Sequence, residues 1–288
     1  MNPSAMLDGF EQARSRLFGL AYRMLGSVME ADDVLQDAFL RYQAADRDQI
    51  RSEGAFLTTM VTRLCLDRLK AAHAQREQYI GEWLPEPLPT PDLDTLDPAA
   101  EAEQAESLSI AFLLLLEHLT PEARAVFVLH EVFDHTHDEI AAVLHKSAAA
   151  CRQLLSRARK QIAGSRPPPV PPDATLLPRL AMAMQSGDLG QLLALLSDGV
   201  VIHSDGGGKV KAARQPIIGK NRVAQFLVGL LRLVKPDEQL EVGRMNGTPC
   251  VLVREVNGVV NTVGIVEGVA GAISAIYFMR NPDKLRHL

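Results

Sequence analysis

Residues Thr136–Ile162, THDEIAAVLHKSAAACRQLLSRARKQI, decide how the first half of this chain is read. Thr136-His137-Asp138-Glu139 has the form of a capping box: Thr as N-cap, Glu three residues on, then an apolar run. Ile140, Val143 and Leu144 give the helix that follows one apolar stripe, and Ala141 is small enough for a second helix to cross closely. His145-Lys146-Ser147 is the turn. Gly is frequent at the position of His145, and His tolerates a positive φ better than most residues. Ser147 is placed to cap the next helix. On that helix Cys151, Leu154, Leu155, Ala158 and Ile162 share one side. Ala149, Gln153, Ser156 and Lys160 lie opposite, flanked by Arg152, Arg157 and Arg159. A buried seam backed by a basic, hydrogen-bonding face describes a helix-turn-helix whose second helix enters the DNA major groove. Arg and Gln pair bidentately with base edges, Lys and Ser suit phosphates, and Ala148 or Ala149 can pack against a thymine methyl. The alternative is an ordinary amphipathic hairpin with solvated arginines.

The net charge of −5 looks wrong for a DNA binder until its distribution is read. Residues 82–106 hold eight acidic residues and no Lys or Arg, whereas residues 146–166 hold six basic residues and no acidic one. An acidic strap joining basic modules suppresses non-specific DNA affinity, so such a chain binds DNA well only with a partner's help. Cys65, Cys151 and Cys250 are too widely spaced for a disulfide framework or a metal pattern, and Cys65 and Cys151 sit on apolar helical faces. No signal peptide is evident. The best candidate for a membrane span, residues 262–279, contains Glu267, several Gly and β-branched alternation, and reads better as two strands. The expected location is the cytoplasm, with no membrane partner.

The 288 residues suggest two or three domains. Residues 8–80 read as helical. Phe10–Met24 has helical spacing. Ser27-Val28-Met29-Glu30 is a second capping box, opening a helix through about Tyr42 whose core stripe is Val34, Leu35, Ala38, Phe39 and Tyr42. Its other face carries Asp32, Asp33, Gln36, Asp37 and Arg41. A third helix is expected from Ser52 to about Gln78, with Arg63, Arg68, Lys70 and Arg76 against Asp67 and Glu77. Residues 81–100 form a linker with five prolines. Residues 101–164 are helical again, Thr120-Pro121 being an N-cap followed by Pro at the first helical position. Residues 166–172 form a stiff proline linker. From 173 the pattern changes. Helical patterns at Leu176–Gln185 and Leu189–Leu196 precede a strand at Val200–His203. Asp205–Lys209 is a turn, Val210–Ala213 a second strand, and Asn221–Leu233 a helix. Strands are expected at Leu240–Arg244, Cys250–Val256, Val259–Val266 and Ala272–Met279, with a hairpin at Asn257-Gly258. Helices followed by a curled antiparallel sheet make an α+β plan.

Three stretches carry a family resemblance. AYRMLGSVMEADDVLQDAFLRYQ (21–43) resembles the part of bacterial sigma factor region 2 that docks on RNA polymerase. FLTTMVTRLCLDRLKAAHAQRE (56–77) resembles the part that reads and melts the −10 element. Leu119–Ile162 resembles region 4, which reads the −35 element. The match is to the extracytoplasmic-function (group IV) class. Trp83-Leu84-Pro85-Glu86-Pro87, Asp205-Gly206-Gly207-Gly208-Lys209 and Asn281-Pro282-Asp283-Lys284-Leu285 resemble the marks of a subgroup with a fused C-terminal SnoaL-like extension of the NTF2-like fold. The resemblance implies a multidomain chain: sigma region 2, a helical bundle, at 1–80; an acidic Pro-rich linker at 81–105; region 4, the helix-turn-helix, at 106–165; a Pro linker at 166–173; and an α+β NTF2-like/SnoaL-like cone at 174–288, which regulates the sigma core in cis.

The partners so implied are RNA polymerase core and promoter DNA. Asp33, Gln36 and Asp37 share one exposed helical face and can meet a basic surface of the polymerase; a solvated acidic face is the alternative. Arg63, Arg68, Lys70 and Arg76 are expected at the −10 element. Lys146, Ser147, Ala149, Arg152, Gln153, Ser156, Arg157 and Lys160 are expected at the −35 element. Trp83, Pro85, Asp205–Lys209 and Asn281–Leu285 are the expected regulatory contacts, with Trp83 as an amphipathic anchor. Asp205–Lys209 lacks P-loop spacing, and a glycine hairpin with a solvated charge pair is its plain alternative. No cofactor, metal ion or catalytic residue is expected. A second reading makes the extension a small-molecule sensor, or a cyclase- or isomerase-like enzyme, with an unidentified ligand and with His203 and Asp205 as the only neighbouring acid/base pair; a structural His beside a turn Asp is the plainer account. A conventional helix-turn-helix repressor is a third reading, which leaves the acidic docking face without a purpose.

Overall fold

A computed structural model of the chain describes residues 3–46, 50–76, 79–90, 107–163, 175–231, 235–269 and 271–288. Residues 91–106 of the acidic linker and the proline segment 166–173 lie outside the described residues. The chain forms two compact units. One comprises Met1–Glu77 with Leu113–Pro167, the other Gln78–Phe112 with Pro168–Leu288.

The first unit is helical. Helices α1 (Pro3–Leu25), α2 (Val28–Gln43) and α3 (Glu53–Arg76) form a bundle. Ser27 caps α2 by accepting a hydrogen bond from the Glu30 amide at 3.1 Å. The stripe on α2 packs inward as its spacing requires: Val34, Leu35, Ala38 and Tyr42 are buried, while Phe39 is half-buried with its ring centroid 5.0 Å from that of Phe10. Helix α4 (Ile110–Glu117) precedes α5 (Pro121–Glu131), which Thr120 caps with Pro at its first turn. Helices α6 (His137–Leu144) and α7 (Ala148–Ala163) are the helix-turn-helix. Both halves of the Thr136–Glu139 capping box are made. His145 takes the left-handed conformation at φ 52, ψ 45, filling the position usually given to Gly.

The second unit is α+β. Helices α8 (Leu176–Ser186), α9 (Leu189–Leu195) and α10 (Lys220–Leu231) accompany strands β1 (Leu196–Asp205), β2 (Ile217–Ile218), β3 (Gln239–Met245), β4 (Thr248–Arg254), β5 (Val260–Val269) and β6 (Ala272–Met279). A 3₁₀ turn at Pro282–Leu285 follows. The sheet order is β2-β1-β6-β5-β4-β3, with β1 parallel to β6 and the other pairs antiparallel. Residues 262–279 are thus two strands, and no helix among the described residues is long and apolar enough to cross a membrane.

Register assigns each face of the sheet. Ile202, Ile276 and Val266 are cross-strand neighbours, and they pack with Leu180, Leu192, Val223 and Leu227 of the helices. Each such buried aliphatic side chain contributes about 1.5–3 kcal/mol of transfer free energy. The opposite face carries His203, Asp205, Tyr277, Met279, Ile265 and Cys250; of these all but His203 are buried. Burial pushes the Cys250 thiol up to about 12.

One expected element is corrected. Residues 210–213 are not a strand. Gly207 (φ 58) and Gly208 (φ 71) turn the chain tightly, the Val210 amide donates back to the Gly206 carbonyl at 3.2 Å, and Arg280 Nη1 takes the Lys211 carbonyl at 2.6 Å. The ladder group that a strand would need is therefore occupied, and the strand beside β1 is Ile217–Ile218, opposite Val201 and Ile202.

Candidate functional site

In the first unit, α7 presents the basic face that its spacing calls for. Cys151, Leu155 and Ala158 are buried, and Leu154 and Ile162 are half-buried. Ala149, Arg152, Gln153, Ser156, Arg157 and Lys160 are exposed. Among the described residues Arg152, Arg157 and Lys160 are in no ion pair, which leaves three cations and two hydrogen-bonding side chains on one helical face. The neighbouring charges are committed elsewhere. Arg159 Nη2 pairs with Glu131 at 2.6 Å, Lys146 with Glu122 at 3.0 Å, and Ser147 Oγ accepts from the Ala150 amide at 3.1 Å as the cap of α7.

Two expected −10 residues are engaged within the same unit. Arg68 reaches from α3 to both Asp33 (3.4 Å) and Asp37 (3.0 Å) on α2, joining residues assigned from sequence to two different partners. Gln36, between those carboxylates on the helix face, is exposed. Arg63 donates through Nε to the Val143 carbonyl at 3.0 Å and through Nη2 to the Ala142 carbonyl at 3.4 Å. These are last-turn acceptors of α6, where a cation also meets the negative end of the helix dipole. Arg124 is buried and donates to the Met24 carbonyl and to Glu117 Oε1, each at 2.7 Å; burial lowers its guanidinium to about 10. Lys70 is exposed on α3, and the side chain of Arg76, in its last turn, lies outside the described residues.

In the second unit, the segment 79–90 is strapped across the outer face of the sheet at three places. The first centres on Asp205, at the end of β1 and 0% exposed. Its Oδ1 accepts from the Tyr79 hydroxyl at 2.6 Å and the Gly207 amide at 2.9 Å; its Oδ2 accepts from the Leu84 amide at 3.0 Å and Lys284 Nζ at 2.7 Å. Lys284 also donates to the Leu84 carbonyl at 2.5 Å and lies 4.0 Å from the centroid of the Trp83 ring. Trp83 is thus held by a cation on its face. Asn281 Nδ2 donates to the Tyr79 hydroxyl at 2.8 Å, and its Oδ1 takes the Asp283 amide at 3.1 Å. Asp283 pairs with Lys209 and, at 2.6 Å, with Arg286; these hydrogen bonds hold its carboxyl below the usual range. A Cβ on Gly207 would collide with the Asn281 amide, and one on Gly208 would come within 3.0 Å of Ile80. Pro282 opens the 3₁₀ turn as its first residue, and Pro85 and Leu285 are buried.

The second place is Glu82, whose Oε1 lies 2.6 Å from His203 Nδ1, with the imidazole stacked on Tyr277 at 5.2 Å. The third is the β3–β4 turn. Asn246 accepts from the Leu88 amide at 3.0 Å and donates to the Leu108 carbonyl at 2.8 Å; its own amide donates to the Leu88 carbonyl at 2.8 Å. Thr90 Oγ1 accepts from the Gly247 amide at 2.8 Å, and His287 Nε2 lies 2.7 Å from the Pro87 carbonyl.

Reasoning from sequence missed three of these groups. Asn246-Gly247 carries the same hairpin signal as Asn257-Gly258, and both of its residues have positive φ (54 and 72). Glu82 is the carboxylate that His203 meets; Asp205, two residues on, serves Tyr79, Leu84 and Lys284 instead. Arg63 was read as a DNA contact, and nothing local marks it as a cap for a helix 80 residues away in sequence. His203 and Asp205 do share one face, but it is the strapped face. A cavity of 570 Å³ lies on the opposite face, lined by Ser204, Phe226, Leu230, Val253, Phe278 and Arg280 among others. Among the described residues no cluster of His, Cys, Asp or Glu could hold a metal ion.

A basic helix-turn-helix, an acidic-faced bundle and an α+β domain that carries the linker define a transcription factor with two helical DNA-directed modules and an appended domain. The Sigma-70 region 2 family matches residues 10–75, and the Sigma-70, region 4 family matches residues 109–162. The chain is 40% identical over 231 residues to the ECF RNA polymerase sigma factor SigJ of Mycobacterium tuberculosis, covering 79% of this chain and 73% of that one. It is 33% identical over 278 residues to the probable ECF RNA polymerase sigma factor SigI of the same species, covering 94% and 92%. The crystal structure of M. tuberculosis SigJ aligns with a TM-score of 0.77 at 34% identity, over 97% of this chain and 98% of that chain. The chain therefore belongs to the extracytoplasmic-function RNA polymerase sigma factors, with an NTF2-like/SnoaL-like cone as its C-terminal part.

Proposed function

We propose that this sigma factor brings RNA polymerase core to promoter DNA under the control of its own C-terminal domain. The exposed face of α7 supplies the −35 contacts: Arg152, Gln153 and Arg157 at base edges, and Ser156, Lys160, Lys146 and the Ser147 end of the helix at phosphates. Lys70 and Arg76, with Arg63 and Arg68 once released, hold the −10 strand. Asp33, Gln36 and Asp37 meet the polymerase. Trp83, Pro85, Asp205–Lys209 and Asn281–Leu285 form the regulatory contact.

The observation that carries the regulatory half is the Asp205 cluster. A buried carboxylate takes four donors, from the strap (Tyr79, Leu84), from the glycine turn (Gly207) and from Lys284. The strap is the segment between the −10 and −35 modules, so its fixation limits how those modules can be placed on a promoter. Run-off transcription with core polymerase tests this directly. The full chain, a chain ending near Pro172 and one lacking Asn281–Leu288 are expected to differ in promoter output. Equal output from all three on every promoter tried would remove the regulatory half of the proposal.

A further inference from the structure

The cavity on the inner face of the sheet belongs neither to the DNA-binding face nor to the strap. Its 570 Å³ falls within the about 300–1,000 Å³ usual for small-molecule sites. Phe226 and Leu230 of α10, Val253 of β4 and Phe278 of β6 give it apolar walls. Ser204 also lines it. That residue is 3% exposed, and its hydroxyl has no hydrogen-bond partner among the described residues. A buried hydroxyl without a partner is unfavourable unless something bound to the cavity completes it.

The charges around the cavity are unequal in how they are used. Glu238 accepts from Asn261 Nδ2 at 2.9 Å and from the Lys235 amide at 2.9 Å, and Glu255 accepts from the same Asn261 nitrogen at 3.5 Å. Lys211, Lys235 and Arg280 line the cavity too, and among the described residues none of them is in an ion pair. Arg280 is held in place: Nε donates to Thr262 Oγ1 at 3.3 Å and Nη1 to the Lys211 carbonyl at 2.6 Å, which leaves Nη2 for a ligand. Register puts Arg280 beyond Phe278, on the side of the sheet that Ser204 faces.

We infer that this cavity binds a small apolar carboxylic acid. Its hydrocarbon body lies against Phe226, Leu230, Val253 and Phe278, its carboxylate meets Arg280, and Ser204 donates the hydrogen bond that its hydroxyl lacks. The site shares strand β1 with Asp205, but its test needs neither polymerase nor DNA and stands apart from the regulatory reading.

The test is titration calorimetry on the full chain with octanoate as probe and 1-octanol as its uncharged counterpart. Saturable binding of octanoate is expected, with 1-octanol about tenfold weaker. Ser204→Val keeps the side chain's size on a strand that favours branched residues, and Arg280→Leu removes the cation; a loss of about tenfold in octanoate affinity is expected in each. Circular dichroism checks the fold of both, and Ser204→Val decides alone if Arg280→Leu does not fold. Absence of saturable octanoate binding overturns the proposal. So does affinity unchanged in every folded variant, or 1-octanol binding as tightly as octanoate.

Discussion

Lys284 and Asp205 form an ion pair at 2.7 Å with side chains only 8% and 0% exposed. Two such charges are stable out of water only together and only when their remaining hydrogen bonds are filled. Here Tyr79, Leu84 and Gly207 fill those of the carboxylate, and the Leu84 carbonyl and the Trp83 ring receive the ammonium.

Removing one partner is therefore costlier than removing both. Lys284→Met is expected to destabilise the second unit by about 3 kcal/mol, and the double variant Asp205→Asn/Lys284→Met by clearly less. Trp83 is the sole Trp of the chain and lies under the Lys284 ammonium, so denaturation followed by its fluorescence reports this unit directly. A single variant as stable as the parent would contradict the pair's role.

Tyr79 gives the strap a dependence on alkaline pH. Burial first, and then its hydrogen bond to Asp205, push the phenol well above its ordinary value. A raised acid favours its protonated form in the folded state. The contribution to stability is complete below about pH 10 and is lost as pH rises past that point. Phenolate absorbance should show one tyrosine titrating late. In Tyr79→Phe that late step should vanish, and the alkaline loss of strap stability should shrink with it.

Arg63 ties α3 to the C-terminal end of α6 through two carbonyls. Arg63→Ala is expected to lower the stability of the first unit by roughly 1 kcal/mol. Hydrogen exchange should show earlier opening of the amides around Val143. Unchanged protection there would mean that these bonds contribute nothing in solution.

Asp37 and Arg152 test the two faces turned to other molecules. Asp37→Arg is expected to abolish capture of core polymerase in a pull-down while circular dichroism stays unchanged. Arg68→Ala frees Asp37 from its 3.0 Å pair and should leave capture intact. Arg152→Ala should weaken binding to a −35 element by about 1–3 kcal/mol. Promoter affinity equal to the parent's would remove Arg152 from the recognition face.

What could be read from the sequence alone followed the range of the forces involved. The capping box at Thr136, the left-handed turn at His145, the inward stripe of α2 and the strands flanking Asn257-Gly258 each rest on residues within a few positions of one another. Local propensity and periodicity suffice for those. Partners far apart left no such trace. Glu82 meets His203, Arg63 meets Val143, and Asn246 meets both Leu88 and Leu108. Each lone residue looks like any other surface polar group until the sheet order, with β1 parallel to β6, brings its partner near. Residues 210–213 failed as a strand for the same reason: Arg280, far along the chain, claims the Lys211 carbonyl.

Sequence separation in the strap also sets an order of assembly. Tyr79 and Asn281 are 202 positions apart, and Leu84 and Lys284 are 200 apart. Every helix of the first unit leaves the ribosome before the lysine that closes the strap has been made. A newly synthesised chain therefore passes through an interval in which its promoter-reading helices are complete and its strap is still unfastened. The rate at which β6 and the turn after it dock sets how long that interval lasts.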